Sequence, residues 1–172
     1  MFETLQYLLP ASLIGVGATA FMDGIGAVRK SLFDVPMADY GLVGRWIAHL
    51  MRGRFRNDAI GKAPRVRGEQ LIGWTAHYLI GIAFAALLLV AWGRDWACRP
   101  TISAALAVGL GSVIAPFLIM QPGMGAGIAA SRTPNPSAAR QRSLITHATF
   151  GLGLYLAGVL ASSLGIFQCG DL

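Results

Sequence analysis

The spacing of the charges constrains this chain most. Residues 4–22, 70–93, 101–131 and 143–170 contain no Asp, Glu, Lys or Arg. A helix rises about 1.5 Å per residue, so about 20 apolar residues cross a hydrocarbon core of about 30 Å. Each uncharged stretch reaches or nearly reaches that length. The whole chain is 55% hydrophobic and only 13% charged. A soluble domain typically carries about 25% charged residues. Too little polar surface exists here to coat a water-soluble bundle. The expectation is an all-α, polytopic membrane protein with four transmembrane helices at about 9–28, 70–92, 101–121 and 144–166. They form one transmembrane domain over 1–172, with polar loops at 29–69 and 122–143. The first span is not read as a cleaved signal peptide. It lacks a basic leading region, and Asp23 interrupts it.

The net charge of +6 is a statement about topology, not about nucleic acid. Twelve of the 14 Lys and Arg residues fall in the two loops named above or at their edges, and only Arg94 and Arg99 lie on the other side. Positive charge concentrates in cytoplasmic loops. Both termini are therefore expected on the non-cytoplasmic side. The basic first loop is expected to meet anionic lipid head groups.

The two cysteines, Cys98 and Cys169, fall on the non-cytoplasmic side in this topology. Disulfides persist in such a compartment. A Cys98–Cys169 bridge and two free thiols both stand as readings.

Two halves of the chain resemble each other. Met22-Asp-Gly-Ile-Gly-Ala27 matches Met120-Gln-Pro-Gly-Met-Gly-Ala126 once Pro122 is set aside. Gly73, His77 and Gly81 recur at steps of four, as do Ser143, His147 and Gly151. The expected arrangement is two parallel-related hairpins. Residues four apart share a helix face, and small residues let helices approach closely in lipid. The two histidines are thus expected on interior faces.

Asp23, His77, Gln121 and His147 each lie a few residues inside the basic side of a different span. At about 1.5 Å per residue they sit about 8–12 Å deep. Ionisable groups at membrane depth are costly and tend to mark sites or pathways. These four are the candidate binding or relay residues. The leading reading is a small transporter or channel-like protein that relays a proton or small cation, alone or as a homo-oligomer. Histidine titrates near neutral pH, which suits a relay. A second reading is a redox subunit in which His77 and His147 hold a haem or metal. A third is a non-catalytic membrane subunit of a larger complex. Structural glue between helices stands beside all three. No zinc spacing, Walker loop, nucleophile elbow or kinase motif occurs, so no catalytic residue is assigned and no cofactor is specified. Gly15-Val-Gly17-Ala-Thr-Ala20 imitates a dinucleotide fingerprint but has no α/β context.

In the first loop, Met37, Tyr40, Val43, Ile47 and Leu50 recur at steps of three and four. This predicts an amphipathic helix lying in the membrane interface, with Trp46 as an anchor and His49 as an interfacial polar residue. Pro136 suits the first turn of a helix capped by Asn135. Pro116 and Pro122 are expected to kink or end the third span, leaving 123–130 broken.

The runs Asp39-Tyr-Gly-Leu-Val-Gly-Arg-Trp46, Arg52-Gly-Arg-Phe-Arg56, Gly73-Trp-Thr-Ala-His-Tyr78 and the stretch from Gln121 to Pro136 resemble those of a family of small bacterial inner-membrane proteins that is catalogued as a domain of unknown function. The resemblance covers nearly the whole chain. It implies a multi-pass protein of the bacterial plasma membrane, and it implies no activity.

Overall fold

The computed structural model describes residues 2–167, with side chains from residue 7 onward. Among the described residues every regular element is helical. α1 spans Phe2–Phe33, α2 Tyr40–Leu50, α3 Glu69–Trp92, α4 Ile102–Gly111 and α5 Pro136–Ser163. Four segments are long and apolar enough to cross a membrane: Tyr7–Phe33, Glu69–Trp92, Ile102–Gly123 and Pro136–Ser163. The protein is a polytopic, all-α membrane protein. Large apolar side chains stand exposed along these spans, among them Leu79, Val90, Ile119 and Leu160. Such surface suits hydrocarbon, where no shell of charge is needed.

The boundaries differ from expectation at two places. α1 continues to Phe33, so Arg29 and Lys30 lie on its last turns and not in the loop. Basic groups there also suit the negative end of the helix. The third span is not one α-helix. After α4 it passes through a turn, a π-helical stretch at Pro116–Met120 and a short turn at Gln121–Gly123. Pro116 has no amide hydrogen, and a π-turn re-registers the ladder around that gap. Beyond Gly123 the chain leaves the helix, with left-handed φ at Gly125, Gly127, Ala129 and Ala130. The two matched runs therefore differ in conformation. Residues 22–27 stay inside α1, whereas Pro122 and Gly125 unwind their counterpart.

Asn135 caps α5 as expected, its Oδ1 accepting from the Ala138 amide at 3.1 Å. Pro136 takes the first helical position.

The chain divides into two compact units. The first comprises Met1–Val35, Tyr78–Gly111 and Thr146–Leu172. Its core is built on Ile14, Leu88, Leu89, Phe150 and Leu154 with small alanines between them. Helices touch there through glycine. A Cβ at Gly15 would lie 2.6 Å from the Ile82 Cα, and one at Gly109 would lie 2.6 Å from the Gly151 nitrogen. The second unit comprises Pro36–His77 and Ser112–Ile145.

Candidate functional site

Asp23 and His147 belong to the first unit, and His77 and Gln121 to the second. All four are half-buried.

In the first unit Asp23 on α1 accepts a hydrogen bond from the Tyr78 hydroxyl on α3. One acidic group at span depth is thereby held against a second helix. Four residues earlier, buried Thr19 donates to the Gly15 carbonyl at 2.7 Å. Its hydroxyl packs against Gly81, where any side chain would collide with it. His147 lies on α5 at the close approach to α4. A Cβ at Gly109 would come within 2.8 Å of the His147 carbonyl. Cys98 follows the turn Arg94–Ala97, and its carbonyl accepts from the Ser162 hydroxyl at 2.8 Å. The end of α5 is thus fastened to the loop that carries Cys98. Cys169, the other half of the expected bridge, lies outside the described residues.

The second unit is built around α2. Asp39 caps this helix, its Oδ1 accepting from the Gly41 amide at 2.9 Å. The helix does not meet the protein through its apolar stripe. Gly41, Gly44, Arg45, Ala48 and His49 form its buried face, whereas Val43, Ile47 and Leu50 are half-exposed. The reason is backbone proximity. A Cβ at Gly44 would collide with the Glu69 carbonyl and lie 2.6 Å from the Gly73 nitrogen, and one at Gly73 would collide with the Tyr40 carbonyl. Glycine at both contact points lets α2 dock directly on the first turns of α3.

That docking brings three rings together. Tyr40 stacks on His77 at 4.1 Å between centroids, with 27° between planes. Trp74 tilts against Tyr40 at 4.5 Å and meets His77 edge-on at 5.8 Å. Stacking on Tyr40 fixes the His77 ring plane.

The docking also buries Arg45, which is 5% exposed. Its guanidinium forks onto Glu69, with Nε to Oε2 and Nη2 to Oε1 both at 2.8 Å. Nη1 donates to the carbonyls of Ile60, at 3.2 Å, and Ala63, at 3.1 Å. The hydrogen bond to Glu69 raises the Arg45 pKa above its already high ordinary value, so the group stays charged. Planar forked recognition of this kind needs arginine. Glu69 also accepts from the Val66 amide at 3.0 Å, and so one ion pair ties residues 60–69 to α2.

His49, expected as an interfacial polar residue, is buried in protein at 4% exposure, with Nδ1 3.0 Å from the Asn57 Oδ1. After α2 the chain reverses at Gly53, whose φ is 78°, and the amides of Arg52 and Arg54 return to the His49 carbonyl. This reversal lays residues 57–60 beside residues 123–125. The Asn57 amide donates to the Gly123 carbonyl at 2.9 Å, and the Ile60 amide donates to the Met124 carbonyl at 3.0 Å. Trp46 covers Gly123, where a Cβ would lie 2.5 Å from its Nε1. That Nε1 donates to the Phe55 carbonyl at 3.2 Å. The first loop is therefore folded onto the ends of the second and third spans.

Gln121 sits where the third span breaks. Its Nε2 donates to the Ser143 hydroxyl at 3.4 Å. Its Oε1 is buried and has no hydrogen-bond partner. Among the described residues no group of three or more His, Cys, Asp or Glu is placed to hold a metal ion.

The profile of the family described as "Protein of unknown function (DUF2938)" matches residues 12–161. The chain belongs to this family of proteins of unknown function. No curated protein and no solved structure matches. The four runs that carry the resemblance fall in the second unit, apart from Tyr78.

Proposed function

We propose that this protein is a small transport or channel-like protein of the bacterial plasma membrane, with both termini on the non-cytoplasmic side. Asp23, His77, Gln121 and His147 relay a proton or small cation. The observation that carries this reading is the buried Gln121 Oε1, which has no protein donor. Buried polar atoms are satisfied in the great majority of cases, and an orphan calls for a guest such as water or an ion. Exchanging the amide oxygen and nitrogen only changes which atom is left over. The setting supports the reading. Irregular backbone at membrane depth is tolerated where it is buried in protein or lines a wet cavity, and broken helices supply ion sites in transporters. The hydrogen bond between Asp23 and Tyr78 supplies a second exchangeable proton at span depth.

Proton and cation flux into liposomes tests the proposal. His77→Ala with His147→Ala slows flux, and Gln121→Leu slows it by removing the orphan acceptor. Unchanged flux in the double variant defeats the relay.

A further inference from the structure

We infer that the reversal at Met51–Arg56, together with the cations around it, is a docking surface for the head groups of anionic phospholipids. This goes beyond the relay and does not rest on it.

The second unit holds ten Lys and Arg against three acidic residues, Asp39, Asp58 and Glu69. Of the ten, only Arg45 is buried, and the other nine are exposed. Arg45 also takes Glu69 out of play by pairing with it. The exposed surface is thus nine cations against two carboxylates. Arg52, Arg54 and Arg56 form no ion pair among the described residues.

Charge alone would describe any cytoplasmic loop. Two further features select lipid. First, the strip is held at the level of the span ends. Asn57 and Ile60 hydrogen-bond the backbone at Gly123 and Met124, where the third span finishes, and Gly44 of α2 packs on Glu69 and Gly73, where the second begins. Second, Met51 and Phe55 are 82% and 71% exposed among these arginines, outside every span. Apolar side chains interleaved with cations at that height suit the boundary between head groups and acyl chains. A soluble anion gives Met51 and Phe55 nothing to contact. The occupant is therefore a phospholipid with net negative charge, held by phosphate on the arginines and by acyl carbon on Phe55.

The test uses the full-length protein in vesicles containing equal parts phosphatidylglycerol and phosphatidylcholine. The protein is transferred to mild detergent, and the retained lipids are counted by mass spectrometry. The wild type retains phosphatidylglycerol in excess. Each cation near an anionic surface contributes about fivefold in affinity. Arg52→Gln with Arg54→Gln and Arg56→Gln therefore lowers that excess by about tenfold to a hundredfold, less at high salt. Phe55→Ser lowers total lipid retained. Arg94→Gln with Arg99→Gln, on the first unit, leaves retention as in the wild type. Arg52, Arg54, Phe55 and Arg56 are exposed, and circular dichroism confirms that the variants stay folded. Equal retention of both lipids by the wild type overturns the inference. So does an unchanged excess in the triple variant. Displacement of phosphatidylglycerol by millimolar inorganic phosphate assigns the surface to a soluble anion and overturns it as well.

Discussion

Replacing Gly73 by Ala sets local preference against tertiary contact, and the sign of the result decides between them. In an isolated helix the change is favourable by about 0.8–1 kcal/mol. Here the added methyl would collide with the Tyr40 carbonyl and lie 2.6 Å from its carbon and 3.1 Å from the Gly44 nitrogen. All three are backbone atoms, so no side-chain rotation relieves the contact. α2 has to retreat by about 1 Å or more. Overpacking of this kind costs about 1–3 kcal/mol. Retreat also weakens the stack of Tyr40 on His77, worth about 0.5–1.5 kcal/mol. After subtracting the helix gain, the net cost is about 2 kcal/mol. Every 1.4 kcal/mol is a factor of ten, so protection of the α2 amides falls about thirtyfold. Hydrogen exchange in nanodiscs measures such local opening directly. Gly24→Ala is the control. It lies within α1, and a Cβ there meets nothing within 4 Å. Exchange around residue 24 should slow or stay the same. If Gly73→Ala leaves α2 equally or better protected, the backbone docking described above is wrong.

Four further outcomes follow from the same geometry. Arg45→Lys keeps the charge but loses the fork onto Glu69 and the bonds to the Ile60 and Ala63 carbonyls, so exchange at residues 60–66 quickens by about tenfold or more. Asp39→Ala removes the cap of α2 and costs about 1 kcal/mol, read as faster exchange in its first turn. Gly123→Ala displaces the Trp46 ring and shifts the tryptophan emission, without change at residues 94–101. A Cys98–Cys169 bridge makes the intact non-reduced protein lighter by two hydrogens, and two alkylatable thiols would exclude it.

Much of the fold was legible because lipid imposes simple rules. Charge-free length pointed to four apolar spans, although α1 runs on to Phe33 and the last apolar helix begins at Pro136, ahead of the expected start at 144. Proline chemistry pointed to a break at Pro116, which takes the form of a π-turn, and to the start of α5 at Pro136. The second unit was not legible. The apolar stripe from Met37 to Leu50 predicts a helix lying in the interface with His49 as an interfacial polar residue, and it says nothing of what Arg45 and His49 pack against. Glycine at 41, 44 and 73 docks the opposite face of α2 on protein and buries Arg45 and His49 there, leaving the apolar stripe half-exposed. A glycine contributes to docking through the side chain it lacks, and a hydrophobic pattern does not register it. The pairing of Arg45 with Glu69, and of His49 with Asn57, joins residues 24 and eight positions apart through a chain reversal at Gly53. No helical or strand period links such positions. Gly41 and Gly44, three apart on the helix, were the one available signal. The stripe of Gly73, His77 and Gly81 was correctly read as a close-packing face. Its partners are α2 at Gly73 and α1 at Gly81.

Electron paramagnetic resonance on single spin labels at positions 23, 77, 121 and 147, in a background lacking the native cysteines, gives each label's depth from its relative exposure to oxygen and to a nickel chelate. Four depths agreeing within about one helical turn, about 5 Å, with water reaching each label, are what a shared relay layer requires. Labels scattered across the bilayer, or bathed in oxygen-rich lipid, would leave the relay without a path.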